Sequence, residues 1–174
     1  MRCYLSILLF LLLLAPAKAQ PKYEVRAAWV TAVYGLDWPR TKATTPTAIR
    51  RQQEELTDIL DKLKAANFNT ILFQTRTRGD VLYHSSIEPY NSILTGKVDG
   101  DPGYDPLAFA VRECHKRGME CHAWMVAIPL GNKKHVASLG NKSVTKQRKE
   151  ICIPYKNEYF LNPGHPSTKE YLMK

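Results

Sequence analysis

The sequence predicts an α/β fold built on parallel strands, and three observations carry that expectation. Apolar stretches rich in β-branched residues alternate with stretches of helical period, in the order strand, helix, strand, helix, strand. Both helical stretches open on a capping residue followed by proline and close on a residue suited to left-handed backbone. Each is long enough to carry the chain back across a sheet, which makes the strands parallel and the crossovers right-handed. The pattern amounts to three to four strand–helix units, whereas a closed eight-stranded barrel takes about 250 residues. It fits either a small open sheet or the N-terminal part of a longer barrel.

Taken in order, residues 20–24 are a linker and residues 25–33 a mostly apolar run of strand formers, read as a first, buried strand. Residues 39–45 are turn-rich. Thr45-Pro46 then supplies an N-cap and a proline at the first helical position, where its missing N–H costs nothing. Ile49, Leu56, Ile59, Leu60 and Leu63 fall on one helical face, and Asn67 can stop the helix in a left-handed cap. Residues 70–75 make a second strand. Residues 76–104 keep no period and contain Gly79, Pro89, Gly96, Gly100, Pro102 and Gly103, so they form one long loop, of a length usually kept for function. Asp105-Pro106 repeats the cap-plus-proline device, Leu107, Ala110, Val111 and Cys114 form the apolar face, and Gly118 ends the helix. Residues 119–127 are a third strand. Residues 131–157 read as irregular and basic, residues 159–161 as a short fourth strand, and residues 166–174 as the opening of another helix.

The first nineteen residues have the form of a secretory signal: Arg2, an apolar run too short to span a bilayer, and Ala17-Lys18-Ala19 before the cut. The remaining domain, residues 20–174, is expected to be exported to the periplasm or the medium. Cleavage removes Arg2 and Lys18, so a formal charge of +9 falls to +7. No second apolar stretch is long enough for a membrane span. Cys114, Cys121 and Cys152 remain, an odd number that allows at most one internal bridge, and their spacings match no zinc pattern. Asp99, Asp101 and Asp105 resemble part of a calcium loop without its glycine and distal glutamate, so no metal is expected. No cofactor is expected either, because phosphate-loop, metalloprotease and nucleophile-elbow motifs are all missing.

In a parallel α/β fold the informative residues follow the strands. Trp38 follows the first strand; Arg76, Asp80 and Tyr83 follow the second; His122 and Trp124 lie on the third, on one side by alternation; and Asn162 ends the fourth. Aromatic faces beside amides, carboxylates and arginine suit a sugar, and these seven residues are the candidate substrate contacts. Each has a plainer alternative: Trp124 in a core, His122 satisfied by a backbone carbonyl, Arg76 paired with Asp80. The lysines of residues 133–149 form a solvated loop or an anion-binding surface, and without interleaved aromatics they do not point to nucleic acid.

Several ordered motifs carry a family resemblance: Glu24-Val25-Arg26-Ala27-Ala28-Trp29-Val30 with Leu36-Asp37-Trp38-Pro39; Ile71-Leu72-Phe73-Gln74-Thr75-Arg76 with Asp80 and Tyr83; Gly103-Tyr104-Asp105-Pro106-Leu107; and His122-Ala123-Trp124. From about Glu24 onward the chain resembles the glycosyl hydrolase-like 10 family of exported bacterial proteins. The resemblance implies a (β/α)8 barrel, of which this chain is the N-terminal part, that cleaves glycosidic bonds in substrates such as peptidoglycan glycan strands. The family's acidic motif falls past Lys174, so the chain is expected to hold substrate contacts and to lack the main catalytic acids. The rival expectation is an envelope protein that binds a glycan or an anion without cleaving it.

Overall fold

Three strands, β1 (Ala27–Val30), β2 (Thr70–Arg76) and β3 (Glu120–Met125), form a parallel sheet in the order β1-β2-β3. Helices α1 (Pro46–Ala65) and α2 (Pro106–Lys116) make the two crossovers. The computed structural model describes residues 24–173, and the leader expected over residues 1–19 lies outside them. The predicted caps are in place. Thr45 Oγ1 accepts from the Ala48 amide at 3.2 Å and Asp105 Oδ1 from the Ala108 amide at 2.9 Å, while Asn67 and Gly118 take left-handed backbone just past the helices.

Both helices cover one face of the sheet. Leu56 and Leu60 of α1 and Phe109, Ala110 and Cys114 of α2 pack with Val30, Ile71 and Phe73, and each buried large side chain contributes roughly 1.5–3 kcal/mol. The long loop adds Leu82 and Leu94 to this core. It contains no helix or strand of its own, as expected, and is pinned by bridges from Val81 to Arg76 and to Tyr90. Among the described residues the three cysteines are free: Cys114 is buried and Cys121 and Cys152 half-buried. Burial and the charge of Glu150 push the Cys152 thiol up to about 11.

Strand β1 is shorter than the run of residues 25–33 suggested, and a buried side chain explains why. Gln74 Oε1 accepts from the Thr31 hydroxyl (2.8 Å) and from the amides of Ala32 (2.8 Å) and Val33 (2.9 Å), while Asp37 takes the Thr31 amide (2.8 Å). These donors leave the strand ladder, and the chain turns through a single 3-10 turn, Val33–Gly35.

The largest departure comes after β3. Residues 159–161 do not extend the parallel sheet. They belong to β6 (Glu158–Leu161), the middle strand of a separate antiparallel sheet ordered β4-β6-β5, with β4 (Pro129–Asn132) and β5 (Cys152–Tyr155) at its edges. The segment expected to be irregular is a compact unit: α3 (Lys133–Ser138) and α4 (Val144–Gln147) bury Val136 and Val144 against Leu130, Ile151, Leu161 and Tyr171. Between β3 and β6 the chain forms β4 and β5, and β6 takes its backbone hydrogen bonds from these two strands rather than from the edge of the parallel sheet. Helix α5 (Pro166–Leu172) closes the described chain. Among the described residues no helix is long and apolar enough to cross a membrane.

Because Gln74 is the acceptor for three donors at the end of β1, Gln74→Leu should cost about 1–3 kcal/mol even though it adds apolar volume. Urea unfolding that shows equal or greater stability would mean that water replaces the lost carbonyl.

Candidate functional site

The carboxyl ends of β2 and β3 border a cleft of about 170 Å³ lined by Arg76 and Met125 from the strands, Tyr83 and Glu88 from the long loop, and Tyr171 from α5. Its centre is an ion pair. Arg76, only 1% exposed, donates from Nε to Glu88 Oε2 at 2.7 Å and from Nη2 to Glu88 Oε1 at 2.6 Å. Its Nη1 donates to the carbonyls of Val126 and Ala127, just past β3. Tyr171 donates its hydroxyl to Glu88 Oε1 at 2.7 Å. Burial alone would lower the Arg76 pKa, but the hydrogen bonds and charge of Glu88 outweigh it and the guanidinium is held above its usual value. Burial and the charge of Glu88 raise Tyr83 and Tyr171, so both stay protonated donors at neutral pH.

Of the expected contacts, Arg76 and Tyr83 line this cleft. Trp38 does not: it is fully buried, donates Nε1–H to the Gln52 carbonyl at 2.8 Å, and packs 5.6 Å from Phe73. It is a core residue with no face for a ligand, because the chain after β1 folds back under the long loop. Asp80 is also buried, and it does not pair with Arg76. Its Oδ1 accepts from the Thr77 hydroxyl and, at 3.2 Å, from the Arg78 amide, and its Oδ2 lies 3.6 Å from His135 Nε2. Asn162 shapes the turn into α5, its Oδ1 accepting from the Gly164 amide at 3.0 Å and its carbonyl from Thr168 Oγ1 at 2.6 Å. The acids Asp101 and Asp105 accept from the nearby amides of Gly103 and Ala108, and Asp99 pairs with Lys142.

His122 and Trp124 lie on the sheet face that the helices leave uncovered. His122 sits exposed beside Glu120 at 3.0 Å, and half-buried Trp124 meets Trp29 edge to face with ring centres 4.6 Å apart. Trp29 itself is 59% exposed. It shares a row with Leu72 and His122, so two indoles and an imidazole lie close together on that open face. Trp29, Glu88 and Tyr171 were not among the predicted contacts. Alternation along the first strand holds the signal for Trp29; nothing in local spacing ties Glu88 to Arg76 or Tyr171 to Glu88.

The arrangement suits recognition of a polyhydroxylated ligand: the protonated Tyr83 phenol to donate, a carboxylate to accept, and flat aromatic faces for ring C–H groups. Glycoside hydrolysis generally takes two carboxyl groups, about 5 Å apart for retention or about 6.5–9.5 Å for inversion. Among the described residues the cleft is lined by one, Glu88.

Removing one partner of a buried pair leaves a charge without compensation. Arg76→Leu is therefore expected to cost about 3–5 kcal/mol, and Arg76→Leu with Glu88→Leu to recover most of that loss. Chemical denaturation of the two variants checks this, and a single variant as stable as the parent would show that the pair holds nothing together.

The family model described as glycosyl hydrolase-like 10 matches residues 24–174. The glycosyl hydrolase DigH of Escherichia coli K12 is 32% identical over 171 residues, covering 90% of this chain and 39% of DigH. The glycosyl hydrolase YngK of Bacillus subtilis is 31% identical over 159 residues, covering 91% of this chain and 31% of YngK. The chain thus spans between about a third and two fifths of these curated relatives. A noncanonic maltogenic alpha-amylase, AmyB of Thermotoga neapolitana, superposes on 84% of this chain and 33% of its own with a TM-score of 0.50 at 14% identity, a likeness of fold. On the match from Glu24 through β1 to β3 and beyond, the chain belongs to the glycosyl hydrolase-like 10 family.

Proposed function

We propose that the chain is the N-terminal part of an exported glycoside hydrolase that cleaves O-glycosidic bonds in a polysaccharide such as peptidoglycan glycan strands. In this reading β1 to β3 are three staves of a (β/α)8 barrel, and the cleft lies where such barrels carry out chemistry, beyond the carboxyl ends of the strands. The observation that carries the reading is the cleft of Arg76, Tyr83, Glu88 and Tyr171 at that end of the sheet, in a chain that belongs to a glycosyl hydrolase-like family. Glu88, held by Arg76 and Tyr171, orders the cleft, and in this reading the main catalytic acids are supplied from outside the described residues. Trp29 and Trp124 offer the flat surface on which a sugar ring rests.

The single carboxylate in the cleft also favours a second reading, in which the protein holds a glycan without cutting it. Incubation of the complete protein with glycan strands and with neutral oligosaccharides should release new reducing ends; binding with no release would leave the second reading. Trp124→Ala is expected to weaken glycan binding by about 1–3 kcal/mol. A Trp124 that is only structural would instead lower the melting temperature, at a cost of about 3–5 kcal/mol, with affinity in the folded fraction unchanged. Exported protein should begin at Gln20, and N-terminal sequencing that finds Met1 would overturn the leader assignment.

A further inference from the structure

A second cavity, of about 330 Å³, opens at the carboxyl ends of β1 and β2. Arg76 faces the cleft already described; Arg78, two residues further on, lines this one, together with Lys42, His135, Tyr34 and Asn91. Its lining holds two cationic side chains and an imidazole and no carboxylate. Among the described residues, neither Lys42 nor Arg78 has an acid within salt-bridge distance.

The donors are only partly used. Lys42 Nζ donates to the Ile93 carbonyl at 2.7 Å, one of three bonds an ammonium can make. Burial lowers its pKa with no acid to offset the effect. Arg78 Nη1 donates to the Tyr34 hydroxyl at 3.0 Å, and the guanidinium sits 4.9 Å over the Tyr34 ring. Arg78 Nε is buried and has no partner, the one such side-chain atom among the described residues. His135 Nε2 lies 3.1 Å from the Arg78 carbonyl, which can only accept, so that nitrogen carries the proton.

Backbone conformation is given over to this arrangement. Tyr34 adopts left-handed backbone (φ 56°), uncommon for a tyrosine, and so sets its ring against Arg78. At Gly131 (φ +89°) a Cβ would stand 2.8 Å from His135 Cδ2 and 3.3 Å from Arg78 Cδ. Only glycine lets those two side chains approach over β4. A cavity whose lining holds two cations without acid partners and no carboxylate has the chemistry of an oxyanion site; Asp80, buried outside that lining, has its Oδ2 3.6 Å from His135 Nε2.

We infer that Arg78 and Lys42, with His135 positioning Arg78 through its carbonyl, form a pocket for an oxyanion substituent, carboxylate or phosphate, on a saccharide. The inference rests on the glycan reading of the neighbouring cleft and extends it: the preferred substrate class is an acidic glycan. Carboxylate and phosphate present the same acceptors to the fork of Arg78, and the choice between them is left to experiment.

The test is calorimetric titration of the complete protein with glucuronate, glucose 6-phosphate and glucose, together with a neutral oligosaccharide. One of the acidic sugars should bind at least about tenfold more tightly than glucose, as expected for a charge-assisted contact. Whichever binds more tightly names the substituent. Added salt should weaken acidic but not neutral binding. Arg78→Gln and Lys42→Gln should each reduce the acid-to-neutral ratio by roughly tenfold, Arg78→Lys by less, and Gly131→Ala should also reduce it by displacing His135 and Arg78. Equal affinity for acidic sugars and glucose, or an unchanged ratio in folded Arg78→Gln, would overturn the inference. In either case binding of the neutral oligosaccharide would leave the glycan reading standing, whereas binding of none of the sugars, acidic or neutral, would overturn that reading as well.

Discussion

One guanidinium fixes the relative positions of four parts of this chain. Arg76 ends the central strand, its two-pronged contact with Glu88 anchors the long loop, its bonds to the Val126 and Ala127 carbonyls set the exit from β3, and Tyr171 reaches the same carboxylate from α5. Four of its five N–H groups are spent, in the planar fork that only arginine presents. A buried ion pair of this kind adds little net stability over an apolar replacement, because desolvation consumes most of the Coulomb attraction. What it supplies is position. Neither partner can move without leaving a charge uncompensated, so loop, strand exit and terminal helix are held in one arrangement around the cleft.

The two faces of the parallel sheet divide the labour. One is apolar and covered by α1 and α2, with Ile71 and Phe73 of β2 pointing into that core. The other is lined toward the carboxyl ends by Gln74 and Arg76, and carries Trp29, His122 and Trp124. Alternation along β2 makes this possible, since a strand with an apolar residue at every second position has the remaining positions free for polar work. The polar positions near the carboxyl end are nonetheless buried, Gln74 by the turn it ends and Arg76 by the loop it anchors.

Much of this was legible in the sequence. Cap-plus-proline pairs at Thr45-Pro46 and Asp105-Pro106 and left-handed closers at Asn67 and Gly118 are local chemistry, and local chemistry is readable from a few residues. The antiparallel sheet was not. Strand β5 carries Pro154 and exposed Ile153 and Tyr155, a composition that gives no alternating signal; as an edge strand it tolerates a proline with no N–H to donate. Trp38 looked like a ligand contact because it follows a strand, but burial of its indole is decided by Gln52 and Phe73, 14 and 35 positions away. Glu88 was passed over for the opposite reason: an acid in a long polar loop looks solvated until tertiary structure brings it to Arg76.

The loops at the carboxyl ends of the strands are ordered chiefly by buried amides and charges. Gln52 donates to the carbonyls of Thr41 (2.6 Å) and Leu94 (2.9 Å), accepts from the Tyr104 hydroxyl (2.7 Å), and takes the Trp38 N–H on its own carbonyl. Gln74 serves three donors after β1, and Asp80 gathers Thr77 and Arg78 after β2. Apolar packing tolerates small slides, whereas a side chain with several directed bonds does not, because each degree of rotation weakens more than one of them. Loops tethered this way keep a fixed shape without regular secondary structure. That is the condition for a binding surface built mainly from loops, where an ångström of slack would blur the match to a ligand's hydroxyls and charges.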